Sequence, residues 1–487
     1  MFHLEKFATV RCAMCLIGRV LRPVTWLAYV LLTAWLSTSC VAQPVSSVGT
    51  LSMPLMPSAT SPSDRLSSST PTYPSTSGVS TESPSPSPTP VPVRTSTPHV
   101  AEANITLEVW ECLSPEPSRV LHQEAAAFQE RLSGATIAIR HCKDASVWSE
   151  QIASGAAAGW HVLLGDAALL ATLQRQRLLQ PIDDLLARHE WAALVTPARI
   201  AAMRDNHLWG LADTVGFHLL LYYRGERMAV PPVDVAALTT LARSHSVPPE
   251  HWGLVMNSYD PLWVIPWLGT CGEWLTDVRG QLTLDTPAMV RALSLYRDWH
   301  HPRRGIAPLT THHTARQMFL EDRATMLLDG DWALAELVQV PTLDWAVATL
   351  PMVDEAGCAA TPLVAGRFWM VHRDLPLTMQ RAAADWLRYV FAPERQVRWA
   401  LRFNALPTHR DALRDIRLLE NPRLRVSAQQ MQTGRALPLG VDANQLLEAM
   451  RAPLRAMLDG TMTPAEAARA MQQNAMRMGN ATDAPQP

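Results

Sequence analysis

Seventeen tryptophans stand in this chain against seven tyrosines and eight phenylalanines, and several have a carboxylate close by. That combination suits holding a polyhydroxylated molecule better than breaking bonds. An indole covers the C–H face of a sugar ring, while Asp, Glu, Asn or Arg pair with its hydroxyls. A ligand lacking those hydroxyls would strand buried polar groups, which is the source of selectivity in such sites. Ligands of open α/β sheets lie beyond the carboxyl ends of the strands. Trp110 and Glu111 end the first candidate strand, and Gly165 and Asp166 end the third. Each has a plainer reading: a buried Trp, a solvated Glu, and an Asp that caps the helix after it.

Other chemistries find little support. His300-His301 and His312-His313 lack the i, i+4 spacing of a helical zinc site and read as loop histidines, so neither a metal nor a cofactor is expected. No Gly-x-Ser-x-Gly elbow and no phosphate-cradling glycine loop occurs. Scattered carboxylates can imitate a glycosidase pair, but no segment suggests one. With a net charge of -2, a pI near 6.8 and no long run of like charge, the chain lacks the basic footprint of a nucleic-acid binder.

The elements that must position these side chains begin well inside the 487 residues. Lys6, Arg11, Arg19 and Arg22 precede an apolar run over residues 24–36, short for a membrane span of about 20 residues. This is the layout of a secretory signal over residues 1–39. Its end, Leu36-Ser37-Thr38-Ser39-Cys40, resembles a bacterial lipobox with Ser37 at a position where Leu or Val is usual. Cys40 is thus the expected lipid-bearing first residue of the mature chain. Simple cleavage and an uncleaved anchor are the alternatives. Residues 40–103, rich in Ser, Thr and Pro, bury too little apolar surface to offset ordering and read as a semi-stiff tether.

From residue 104, strand patterns at 105–110, 135–140, 160–166, 218–224, 252–257, 344–350 and 367–373 alternate with helical ones. In the first helix Leu121, Ala125, Phe128 and Leu132 share a face. Alternation predicts an α/β fold with mainly parallel sheets, and about 380 residues predict two lobes. Near the end, Thr463, Pro464 and Glu466 form a capping box, and Pro453 should kink the helix before it.

Six phrases occur in the order and spacing of a known group: "WGLADTVGFHLLLYYR", "MNSYDPLWVIPWLGTCGEWL", "MFLEDRATMLLDGDWAL", "WAVATLPM" with "PLVAGRFWMV", "NALPTHRDAL" and "DGTMTPAEAARAMQQN". Together they resemble the extracellular solute-binding proteins of carbohydrate ABC importers (maltose-binding-protein-like, family 1). The resemblance implies a two-lobed periplasmic-binding-protein fold with three hinge crossovers and a ligand cleft between the lobes. It maps residues 104–212 and 361–403 to lobe 1, and residues 213–360 and 404–487 to lobe 2. It also implies a lipid-anchored, monomeric receptor on the outer face of the cytoplasmic membrane. Such a receptor would close on a sugar and hand it to permease subunits, without catalysis. A receptor for a non-sugar solute, a sensor subunit for a kinase and a secreted polysaccharide hydrolase are the rival readings.

Carried over residue by residue, the resemblance implies ligand contacts from Trp110, Glu111, Asp166, Asp213 after the first hinge, and Asp260 in the Asn-x-x-acidic-Pro segment. Leu262 stands where an aromatic contact is usual, so Trp263 next to it becomes a candidate. Trp332 in "GDWAL" is the expected stacking platform. Arg367 would favour a carboxylate or a densely hydroxylated face. Cys112 and Cys142 follow strands that should be parallel neighbours, and Cys271 and Cys358 both map to lobe 2, so the bridges expected are Cys112–Cys142 and Cys271–Cys358. Four free thiols remain the alternative.

Overall fold

A computed structural model describes residues 105–130, 135–354 and 357–482. The expected signal, Cys40 and the tether lie outside the described residues. The strands used below are β1 (Ile105–Glu111), β2 (Ala135–His141), β3 (Val162–Asp166), β4 (Leu179–Gln180), β5 (Leu211–Gly216), β6 (Leu219–Arg224), β7 (Trp252–Met256), β8 (Ala324–Gly330), β9 (Trp345–Ala348), β10 (Ala365–His372) and β11 (Leu406–Pro407).

Two sheets result. The first runs β11-β5-β10-β3-β1-β2, with β4 also on β10; the second runs β9-β6-β8-β7. Their central strands are covered on both faces: all seven residues of β8 and all six of β5 are buried, Asp329 and Asp213 among them. Each sheet has its own core. Leu121, Phe368, Trp369 and Trp386 lie in the first, and Trp267, Tyr296, Trp299 and Met326 in the second. Ten tryptophans are buried, so most of the Trp excess is core material.

The expectation of mainly parallel sheets needs correction. β1–β2, β1–β3 and β7–β8 are parallel, whereas β3–β10, β5–β10, β5–β11, β6–β8 and β6–β9 are antiparallel. A parallel pair needs a crossover of a dozen or more residues, usually a helix. β5, β6 and β10 lie next to passages of the chain between the sheets, and β5 reaches β6 through Phe217 and His218 alone.

Two expected lobe boundaries also move. β5 stays in the first sheet to Gly216, paired with β10 and β11, so Asp213 sits inside a strand rather than after a hinge. The first crossing is at Phe217, whose φ of 59° puts it in the left-handed region. Residues after 403 return to the first sheet as β11 instead of entering the second lobe, and Leu406, Ala412, Leu418 and Leu424 pack in the first core. The chain joins the second core for the last time with Leu446 and Met450 of helix Ala443–Leu458. The middle crossing lies between Leu363, in the second core, and Val364, in the first.

Helix Ala443–Leu458 continues through Pro453, which is buried. The last helix, Pro464–Thr482, starts at a reciprocal cap: Glu466 N donates to Thr463 Oγ1 at 3.3 Å, and Thr463 N donates to Glu466 Oε2 at 2.8 Å. Cys112 and Cys142 are bonded at the carboxyl ends of β1 and β2, Cα–Cα 5.1 Å, and Cys271 is bonded to Cys358, Cα–Cα 5.5 Å. Both spacings lie within ordinary disulfide range.

Candidate functional site

Where the lobes meet, the end of β5, the turn after β8 and the helix Pro393–Phe403 enclose a cavity of about 250 Å³. Thr214, Phe217, Asp331, Trp332, Arg367 and Trp399 contribute to its wall. A larger cavity of about 940 Å³ lies elsewhere, beside Ile200, Trp274, Asp277 and Arg435, and is mostly apolar. None of the eight predicted ligand residues lines the larger one, whereas Trp332 and Arg367 both line the smaller.

Trp332 follows the second-sheet strand β8 and is half-buried. Its ring centroid is 6.0 Å from that of Phe217 and 6.3 Å from that of Trp263. Its Nε1 lies 3.5 Å from His312 Nε2. That imidazole nitrogen also stands 3.0 Å from Asp329 Oδ1 and 3.2 Å from Arg316 Nη2. Hydrogen bonding to the buried Asp329 carboxylate holds His312 above its ordinary pKa. Arg316 pairs with Asp329 at 2.7 Å and also with Glu336. The indole is therefore braced from behind by a charged network anchored in β8. His312 was expected in a loop; it opens helix His312–Leu320 instead, capped by Thr311. His300 is likewise no loop residue. It caps the end of helix Pro287–Trp299 and is buried, which pushes its imidazole down to about 4.

Asp331 precedes Trp332 and was not singled out from the sequence, although it belongs to the same "GDWAL" phrase. Its Oδ1 accepts from Phe217 N at 3.0 Å, and its Oδ2 lies 3.7 Å from His218 Nδ1. Burial pushes the Asp331 carboxyl up to about 7 and the His218 imidazole down to about 4. A Cβ on Gly216 would stand 2.3 Å from Asp331 Oδ2, so glycine is what lets this carboxylate reach the crossing.

Arg367 lies on β10 opposite Thr214 and Asp166. Its Nε is buried without a hydrogen-bond partner, and burial lowers the guanidinium pKa.

The other candidates are engaged within the protein. Trp110, Glu111, Asp213 and Trp263 are 3 %, 0 %, 2 % and 3 % exposed and offer no surface to a ligand as they stand. Trp110 stacks on Trp148 at 5.1 Å. Glu111 accepts from Ser118 Oγ at 2.6 Å and Leu113 N at 2.5 Å. Asp213 Oδ1 accepts from Arg395 Nη1 at 2.7 Å and Trp369 Nε1 at 3.1 Å. Trp263 is core material: its Nε1 donates to Leu328 O at 2.8 Å. Asp166 is exposed and caps its helix through Leu169 N at 2.8 Å. Asp260 caps a short 3-10 turn through Leu262 N at 3.0 Å and faces Arg451 Nη1 at 3.7 Å. Among the described residues no group of three or more His, Cys, Asp or Glu is arranged to hold a metal ion.

Two sheet-centred lobes, three passages of chain between them and a cavity of mixed polar and apolar lining at their junction define a bilobed ligand-binding protein. The profile of the bacterial extracellular solute-binding proteins matches residues 125–424, and the chain belongs to that family. It is 23 % identical over 268 residues to a maltotriose-binding protein of Pyrococcus abyssi, an alignment covering 54 % of this chain and 57 % of that relative. The maltose/maltodextrin-binding domain of Bdellovibrio bacteriovorus, solved with maltotriose, shares the fold with a TM-score of 0.65 at 22 % identity, over 77 % of this chain and 99 % of that one. The cyclic maltosyl-maltose binding protein of Arthrobacter globiformis does so with a TM-score of 0.69 at 14 % identity, over 78 % and 100 %. The GacH receptor of Streptomyces glaucescens, solved unliganded and with acarbose, gives 0.64 at 20 % identity, over 78 % and 99 %.

Proposed function

We propose that this protein is a saccharide receptor that captures its ligand between the lobes and releases it to an ABC importer. The observation that carries the reading is Trp332, a half-buried indole in the wall of a cavity that Asp331 and Arg367 also line. A stacking face beside groups that donate and accept hydrogen bonds is what a pyranose requires. The saccharides bound by the relatives support the same class. In this reading Trp332, Asp331 and Arg367 are the primary contacts. Trp110, Glu111, Asp166, Asp213, Asp260 and Trp263 contribute only if closure frees them from their present partners. Ligand favours the closed form by binding it better than the open one.

The finer proposal is a monomer held at the outer face of the membrane by lipid on Cys40, with residues 40–103 as its tether. Titrating the purified protein with maltotriose in a thermal-shift assay tests the binding. Ligand at 100 times its dissociation constant stabilises by about 2.7 kcal/mol. No shift with maltotriose or with a panel of other oligosaccharides would remove the saccharide reading. Recovery of shortened sugars after incubation would replace a receptor by a hydrolase. Cys40→Ser should release the protein from membranes, and retention at the wild-type level would exclude the anchor.

A further inference from the structure

We propose that the saccharide taken by the cavity beside Trp332 carries a carboxylate, seated on Arg367; this rests on the saccharide reading above. Arg367 is the only cation among the residues lining that cavity. Its Nε is buried and unpartnered, and among the described residues no side chain forms an ion pair with its guanidinium. The acids near enough to act on it electrostatically are Asp213, Glu111 and Asp331, and each is committed elsewhere. Asp213 answers Arg395 at 2.7 Å. Glu111 takes Ser118 Oγ, Leu113 N and His141 Nδ1. Asp331 accepts from Phe217 N. Burial also favours its neutral form, which makes it a weak counter-charge near neutral pH.

A buried charge without a partner is unfavourable, and a strong anion that completes it is correspondingly favoured. A guanidinium meets a carboxylate with two parallel N–H donors. A neutral hydroxyl satisfies one donor and leaves the charge unmatched. The neighbouring indole of Trp332 supplies the face for the sugar ring that bears the carboxylate.

Matched pairs of probes test this with the purified protein. Digalacturonate and trigalacturonate are each compared with their methyl esters by calorimetry at low ionic strength. At least one acid should bind ten-fold or more tighter than its neutral counterpart, with the preference shrinking as salt rises. Arg367→Gln should bring acid and neutral forms within about three-fold of each other, and Arg367→Lys should keep part of the preference. Equal binding of acid and neutral forms to the wild type overturns the inference while leaving a saccharide receptor in place. So does an equal loss of both in Arg367→Gln. Failure of every probe, maltotriose included, overturns the inference together with the saccharide reading.

Discussion

His218 Nδ1 and Asp331 Oδ2 stand 3.7 Å apart at the point where the chain leaves the first sheet for the second. His218 is fully buried, and its Nε2 lies 2.9 Å from Ser427 Oγ on helix Pro422–Met431. The first crossing is thus tied to the turn that carries Trp332 and to a helix that follows β11.

The two groups respond to pH in opposite directions. With Asp331 raised to about 7, unfolded chains release its proton first, so stability falls as pH rises from about 4 toward 7. With His218 lowered to about 4, unfolded chains take up the proton first, so stability falls as pH drops from about 6.5 toward 4. Between those limits the slopes oppose each other. Relative to wild type, Asp331→Asn should make unfolding free energy rise more steeply from pH 4.5 to 6.5, and His218→Gln should make it fall. Urea unfolding at several pH values measures both. Parallel profiles for the two variants would show that neither group titrates as described.

Trp332→Ala should weaken saccharide binding at least ten-fold, since truncating an aromatic anchor at a binding site typically costs about 2 kcal/mol or more. The variant should melt close to wild type because the indole is only half-buried. Calorimetry with maltotriose reads the affinity, and an unchanged value removes Trp332 from the site.

The pair Arg395–Asp213 is buried to 2 % and 0 % side-chain exposure, with Glu124 Oε2 on the guanidinium at 3.0 Å. Asp213→Asn leaves a buried cation with one acid partner where it had two. Breaking such a pair costs about 3–5 kcal/mol. Chemical denaturation should register a loss of that order, and a loss below about 1 kcal/mol would mean water reaches the guanidinium.

Each disulfide closes a loop inside one lobe, with sequence separations of 30 and 87. The chain-entropy limit for loops of those sizes is about 3.5 to 4.5 kcal/mol. Replacing either pair by Ala should lower stability by a few kcal/mol yet leave saccharide affinity within about two-fold, because neither bridge spans the lobes. A large change in affinity would mean that the bridge restrains closure. Non-reduced peptide mapping checks the pairing itself.

The repeating elements were legible from local pattern. The strand at residues 105–110, the capping box at Thr463 and the Trp332 phrase all carry their signal within a few neighbours. Sheet direction was not legible, because β10 lies antiparallel to β3 only through a passage from the other sheet, which no local periodicity records. The partners of buried polar groups were hidden for a similar reason. Asp213 meets Arg395 across 182 residues and His218 meets Ser427 across 209. Asp166 and Asp260 were ambiguous for another cause: a carboxylate at a strand end caps the following turn as readily as it faces a cavity.

The interleaved path of the chain also sets an order of events during synthesis. The four strands of the second sheet are complete by Ala348, yet its core still lacks Leu446, Met450, Leu454, Met457, Ala467, Ala468, Met471 and Ala475. Those side chains emerge from the ribosome more than a hundred residues after the first of the strands they cover. A nascent chain therefore carries an unfinished lobe until its last helix arrives.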